Sequence, residues 1–174
     1  MAYEPWRPGM RMTANRLLSI SPTWQDWTPA WTTSSGNNLP AFGNATVDCK
    51  YAQAALTVWW EMEITFGSST TFGGGTGSDN WRFSAPVTSA ETQLMAGYGE
   101  IQGSGGGERF PVRVRLTTTG TFEIELSGGA YNNISGASSG LIDAVTPFGA
   151  GSTGSTAWAS GFAIRAQGHY QAAG

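Results

Sequence analysis

The chain has 174 residues, of which 12% are charged, and its formal net charge at pH 7 is −3. A single lysine, Lys50, excludes the basic footprint of a nucleic-acid-binding protein, and a single cysteine, Cys49, excludes a disulfide framework and a thiolate metal cluster. The length suits one domain with a single core, and no apolar stretch reaches the length of a signal peptide or a membrane span. We expect no nucleic-acid partner, no membrane insertion and no cofactor.

Residues Met1–Ser21 differ in pattern from the rest of the chain. Thr13 is a suitable N-cap for a short helix over Ala14–Ser19, in which Leu17 and Leu18 are apolar. A helix of about two turns is only marginally stable alone. We therefore expect this N-terminal arm to dock on another subunit or on a larger body.

Three tryptophans follow the arm within the segment Trp24–Thr33. Pro29 cannot donate a hydrogen bond inside a sheet, so the segment predicts an edge strand or a bulged strand. Exposed tryptophans favour protein interfaces or sugar stacking, and their place beside an attachment-like arm favours an interface. We assign residues 1–33 as an anchoring arm, whose predicted interface side chains are Trp6, Leu17, Leu18, Trp24, Trp27 and Trp31.

The run Ala54–Phe66 alternates between apolar and polar residues with a period of two, which predicts a long half-buried β-strand. Its polar face carries Trp59, Glu61 and Glu63. The preceding run Thr46–Tyr51 also alternates, and a short Ala-Gln turn after it predicts an antiparallel hairpin. The side chains predicted to face the core are Leu56, Val58, Trp60, Met62, Ile64 and Phe66.

A second hairpin is predicted over Phe110–Leu126, with a loop at Thr118–Gly120 in which Gly120 is left-handed. Apolar pairing and charge pairing select the same register, because both are satisfied by one alignment of the two strands. The predicted opposite pairs are Leu116 with Phe122, Val114 with Ile124, Val112 with Leu126, Arg115 with Glu123, and Arg113 with Glu125.

Three further runs, Trp81–Ala85, Leu94–Gln102 and Phe162–Tyr170, have strand-like alternation, and Gly97 and Gly99 weaken the second of them. Short strands separated by Gly-rich connections are typical of sandwiches and barrels. We predict an all-β fold over residues 34–174, an antiparallel β-sandwich of jelly-roll type with seven or eight strands, in preference to a closed barrel.

Glu61 and Glu63 form the most enzyme-like pair in the chain. Two carboxylates on one strand face lie roughly 7 Å apart, a separation that occurs in glycoside hydrolases, and Trp59 beside them could stack on a sugar ring. These three residues are candidate glycan contacts. We favour the alternative, a solvated or salt-bridged strand face without catalysis. His169, the only histidine, cannot supply a zinc ligand set together with a single cysteine, so we expect no metal site.

Several stretches resemble strand signatures of small virion proteins of tailed bacteriophages, especially those of actinobacteria. They are Trp27–Trp31, Gly43–Phe66, Trp81–Val87 and Trp158–Ala173. The opening PGMRMTANRLLSI also resembles the N-terminal segment of phage fibre and tail-associated proteins. The chain departs from the pattern at Gly161-Phe162, where an acidic residue often stands.

This resemblance implies a non-enzymatic structural component of a virion surface, a β-sandwich assembled as a homotrimer in a tail tip, a fibre or a capsid decoration. The partners that it implies are further copies of the chain, other virion proteins and a host cell-surface glycan. Burial of aromatic side chains between symmetric copies is consistent with that expectation. The alternative is a carbohydrate-binding or glycan-cleaving tail domain that uses Trp59, Glu61 and Glu63.

Overall fold

The computed structural model describes residues 7–14, 21–73, 79–103, 108–127, 141–145, 147 and 158–174. This part of the chain is all-β, and its strands are all antiparallel to their neighbours. The nine strands are β1 (Gln25–Asp26), β2 (Trp31–Thr33), β3 (Thr46–Ala54), β4 (Thr57–Thr65), β5 (Trp81–Ser84), β6 (Gln93–Gln102), β7 (Arg109–Thr118), β8 (Thr121–Leu126) and β9 (Ala163–Gln171).

All nine strands belong to one sheet in the order β1-β3-β4-β9-β6-β7-β8-β5-β2, which curls as a half-barrel. The prediction of an antiparallel all-β fold is therefore confirmed, whereas a jelly roll with two separate sheets is not. The predicted helix is not confirmed either, because only Ala14 of Ala14–Ser19 lies within the described residues. No helix in the described ranges is both long and apolar enough to cross a membrane.

Pro29 separates two short edge strands that lie at opposite edges of the sheet. Trp27 N–H donates to the Cys49 carbonyl of β3, and the Ala30 carbonyl accepts from Ser84 N–H of β5, both at 2.9 Å. Three residues of extended chain span at most about 11 Å, so the curl brings the two edges close together. The predicted edge strand is thus two strands, and the predicted boundary at residue 33 falls after both of them.

The β3–β4 hairpin is confirmed, with a continuous ladder from Thr46 opposite Thr65 to Ala54 opposite Thr57. The predicted Ala-Gln turn is part of the ladder, and the chain turns later, at Ala55–Leu56. Ala55 has a positive φ of 50° in this turn. Leu56 is consequently 42% exposed, and its assignment to the core was wrong. The other five predicted core residues of the strand, Val58, Trp60, Met62, Ile64 and Phe66, are buried.

The β7–β8 hairpin has the predicted register at all five of the predicted pairs. Its loop differs from the prediction, because Thr118 lies opposite Thr121 after an irregularity in the ladder that follows Leu116. Gly120 is not among the positive-φ residues of the described chain, so the left-handed assignment was wrong. The chain reverses at Thr119–Gly120, one residue shorter than the predicted loop, and the irregularity at the end of β7 absorbs the difference in register.

The core fills the inside of the curl and joins strands that are far apart in the sheet. Trp60 of β4 packs on Phe122 of β8 with ring centroids 4.5 Å apart, and Trp31 of β2 stacks on Phe66 at 5.4 Å. A Cβ atom at Gly97 of β6 would lie 2.6 Å from the Trp60 ring. The glycine that weakens the strand signal of β6 therefore makes room for the largest side chain of the core.

Candidate functional site

The outward-facing side chains of β3, β4, β9 and β6 form one surface, which we call the outer face. The core-facing residues of β4 alternate with exposed ones, so Trp59, Glu61 and Glu63 all point outward. The sheet order then sets their neighbours. Between β4 and β9, Trp59 lies opposite His169, Glu61 opposite Gln167 and Glu63 opposite Arg165. Between β9 and β6, Gln167 lies opposite Tyr98 and Arg165 opposite Glu100.

One end of the outer face is charged, and most of its charges are paired. Arg165 donates from Nε to Glu63 Oε1 at 2.9 Å and from Nη1 to Gln102 Oε1 at 2.6 Å. Asp48 pairs with Lys50 at 2.9 Å, and the hydrogen bond raises the pKa of that lysine. Glu63 is thus salt-bridged on the strand face, which is the alternative that we favoured from the sequence over a free catalytic carboxylate.

The other end of the outer face is aromatic and open. Trp24, Trp59 and Tyr98 are 51%, 38% and 64% exposed, which is unusual for side chains of this size. Together with Gln167 and His169 they line a groove of about 360 Å³. A second groove of about 490 Å³ adjoins it, because Glu61, Tyr98 and Gln167 line both; its remaining lining includes Asp48, Glu63, Glu100 and Arg165.

The structure separates the predicted interface tryptophans. Trp24 is exposed on the outer face, Trp27 is half-buried with its ring 6.1 Å from Phe122, and Trp31 is 6% exposed inside the core. Trp31 therefore contributes to the fold of its own chain. Three predicted interface residues, Trp6, Leu17 and Leu18, lie outside the described residues.

Sequence reasoning did not place Tyr98, Gln167 or His169 beside Trp59. The alternation within Leu94–Gln102 puts Tyr98 on the opposite side from Ile101, and this was the only local signal available. The missing information was the strand order, because β4, β9 and β6 are distant in sequence and adjacent in the sheet. The candidate glycan contacts thus have neighbours that no local pattern revealed.

A second polar cluster lies around β8 and is largely buried. Glu123 and Glu125 are 3% and 6% exposed. Arg82 Nε donates to Glu123 at 2.7 Å, and Arg113 Nε donates to Glu125 at 2.7 Å. The hydrogen bond from Arg113, with the nearby charge of Arg115, lowers the pKa of Glu125 although burial acts in the opposite direction. Both carboxylates have arginine partners, which is the arrangement of a structural ion-pair network.

The described part of the chain offers neither a metal-binding cluster nor a reactive thiol. No group of three or more His, Cys, Asp or Glu side chains in these ranges could hold a metal ion. Cys49 is buried, and burial raises the pKa of its thiol to about 12, so the nucleophilic thiolate is scarce at neutral pH.

Comparisons with known proteins found no match among family models, curated proteins or solved structures. The function is therefore inferred from the residues and the geometry described above.

Proposed function

We propose that the chain is a non-enzymatic structural protein of a phage virion surface. In this proposal the N-terminal arm attaches the chain to the particle, and the sheet projects outward as a capsid decoration or as a tail or fibre adhesin. The observation that carries the proposal is the open aromatic end of the outer face, since large exposed aromatic side chains mark interaction surfaces. The resemblance of several strands to phage virion proteins supports the virion location.

The arm also supports attachment. Residues 7–14 form no strand in the sheet, and seven of these eight residues are exposed. A segment that makes so few contacts within its own chain is available to another body. We propose a homotrimer, in which symmetric copies bury further aromatic surface.

The finer description of the fold is part of the same proposal. Contacts across the curl, such as Trp60 on Phe122 and Trp27 on Phe122, favour a sandwich-like collapse of the half-barrel, of jelly-roll type. Such a compact β-domain suits display on a particle surface, because its side chains are held by hydrogen-bonded strands.

Removal of Met1–Ser21 tests the attachment. We expect the truncated chain to keep its β-type circular dichroism spectrum and to be missing from purified particles, whereas antibody labelling locates the full chain on the particle surface. Normal incorporation of the truncated chain would refute the anchoring role. Light scattering on the purified full chain tests the trimer, and a monomer at high concentration would count against self-assembly.

A second candidate function is a glycan-cleaving tail domain, favoured by the position of Trp59, Glu61 and Glu63 on one open surface. Double replacement, Glu61→Gln with Glu63→Gln, removes both carboxylates and keeps their shape. If the release of sugar from host cell walls is lost in this variant while particles still assemble, the enzymatic function stands. An unchanged release, or none with the wild-type chain, excludes it.

A further inference from the structure

We propose that the aromatic end of the outer face binds a linear, uncharged glycan of host origin. Trp59 and Tyr98 are the stacking platforms in this site, Trp24 forms its rim, and Gln167 and His169 supply hydrogen bonds between the platforms. The inference rests on the proposed function in one respect, namely that the sheet faces away from the particle.

The register places the two platforms at a separation suited to an extended ligand. Trp59 lies on β4 opposite His169, and Tyr98 lies two strands away on β6, opposite Gln167. Two strand spacings and a two-residue offset correspond to about 12 Å between the two positions. A single sugar ring cannot cover both platforms at this separation, so the geometry favours an oligosaccharide.

The lining chemistry is that of a carbohydrate site. A sugar has apolar C–H faces and a polar edge of hydroxyl groups. The groove offers both kinds of partner, since aromatic rings alternate with the amide of Gln167, the imidazole of His169 and the carboxylate of Glu61. An apolar protein partner would leave these three polar groups desolvated and unpaired, which costs binding free energy.

The charge distribution determines the class of glycan. The aromatic groove has Glu61 as its only carboxylate among the described lining residues, and the adjoining groove adds Asp48, Glu63 and Glu100 against the single cation Arg165. Arg165 is already bonded to Glu63 and Gln102. Two nearby cations, Lys50 and Arg109, are likewise paired, with Asp48 and Glu100. An acidic polysaccharide would therefore meet the exposed carboxylate of Glu61 without an unpaired cation among these residues, so the site favours an uncharged chain.

The platforms are held in place before any ligand binds. β9 is hydrogen bonded to β4 on one side and to β6 on the other, and these ladders include Trp59, Tyr98, Gln167 and His169. Side chains on such strands lose little backbone freedom on binding. The copies of such a groove on one particle would bind the same glycan surface together, and this multivalency increases the overall affinity above that of a single groove.

Native affinity electrophoresis of the purified full chain tests this proposal. The gels contain one of three neutral polysaccharides: hydroxyethyl cellulose, soluble starch or galactomannan. We expect retardation by at least one of them, and we expect Trp59→Ala and Tyr98→Ala each to weaken binding about tenfold or more, as for aromatic contacts at an interface centre. Leu39→Ala, which removes a 55% exposed apolar side chain away from the outer face, is the matched control and should bind normally.

Three results would overturn the proposal: no retardation in any gel, retardation that both aromatic variants retain, or stronger binding to the anionic polysaccharide alginate. A fourth is the dissociation of an oligomer by Trp59→Ala without any effect on sugar binding, since the outer face would then be a subunit interface. The variants should fold, because both side chains are exposed, and circular dichroism checks this. Particle labelling of the full chain is independent of these gels, so failure of the glycan site and failure of the virion location are distinguishable.

Discussion

At the scale of single residues, the carboxylates of the sheet have two distinct environments. Glu61 and Glu63 lie on an open surface, whereas Glu123 and Glu125 are buried next to arginines. A buried carboxylate that lost its cation would be costly, and the pKa of Glu125 is lowered because Arg113 and Arg115 favour its charged form. The ion pairs of β8 therefore belong to the stability of the fold, whereas Glu63 is bonded to Arg165 at the surface and Glu61 is exposed on the outer face.

Replacement of Glu125 by Gln tests the stabilising role of its charge. We expect the free energy of unfolding at pH 7 to fall by about 2 kcal/mol, a value reduced by solvent screening because the Arg113 side chain is 40% exposed. A lowered pKa in the folded state means that this stabilisation is present above the ordinary value of 4.5 and is lost as the pH falls below it.

Thermal and urea unfolding at pH 7 and pH 3.5 measure the difference. The gap between wild type and Glu125→Gln should be largest at pH 7 and should shrink at pH 3.5. Glu91→Gln, at an exposed site, is the matched control and should change stability little at either pH. A gap that grows on acidification would show that the charge of Glu125 destabilises the folded chain.

At the scale of elements, the packing of β6 and β9 against the Trp60 ring depends on glycines, which have no side chain. Gly97 lies opposite Gly168, and a Cβ atom at Gly97 would approach Gln167 O at 2.4 Å and the Trp60 ring at 2.6 Å. Backbone cannot move aside as a flexible side chain would. The two strands can therefore pair under Trp60 only because both positions are glycine.

Gly97→Ala should consequently destabilise the protein by about 1–3 kcal/mol through overpacking. Gly120→Ala is the control, because it adds the same methyl group where nothing lies within 4 Å and the backbone is not left-handed. Urea midpoints at constant m-value compare the two variants. Equal midpoints would mean that β6 relaxes away from β9 at little cost.

Local hairpins could be predicted from the sequence because they carry redundant information. In β7–β8 the apolar pairs and the Arg-Glu pairs each select the same register, so either set alone would have sufficed. Leu56 was misplaced because alternation continues through a turn without marking it. Trp31 was misplaced because an indole suits a core and an interface equally well, and its stack on Phe66 depends on a long-range arrangement.

The candidate site could be predicted only in part for the same reason. Trp59, Glu61 and Glu63 share one strand, so their common face follows from the period of two. Tyr98, Gln167 and His169 reach that face through pairings between strands far apart in the chain, and strand order has no local signature.

At the scale of the whole molecule, β9 joins the two halves of the sheet. It is the last strand in sequence and the fourth of nine in the sheet, with β4 on one side and β6 on the other. Without it, β1, β3 and β4 would have no ladder to β6, β7 and β8. Sheet continuity therefore depends on Ala163–Gln171.

A chain that stops at Gly161 should fail to fold, because β4 and β6 each lose one of their two partner strands and the core loses Ile164 and Tyr170. Heating followed by circular dichroism should show no cooperative transition, and limited proteolysis should degrade the chain without a stable core fragment. Removal of Met1–Ser21 is the comparison, and it should leave a cooperative transition. A cooperative transition in the chain without β9 would mean that one half of the sheet folds independently.

The central position of β9 also has a consequence for synthesis. The ribosome makes β9 after the other eight strands, and β9 contributes Arg165, Gln167 and His169 to the outer face. A chain that stops before β9 has two unjoined sets of strands and an incomplete outer face. Synthesis of β9 is therefore the step that joins the two sets of strands and completes the outer face, so chains that stop before β9 are left to proteolysis and do not compete for places in an assembly.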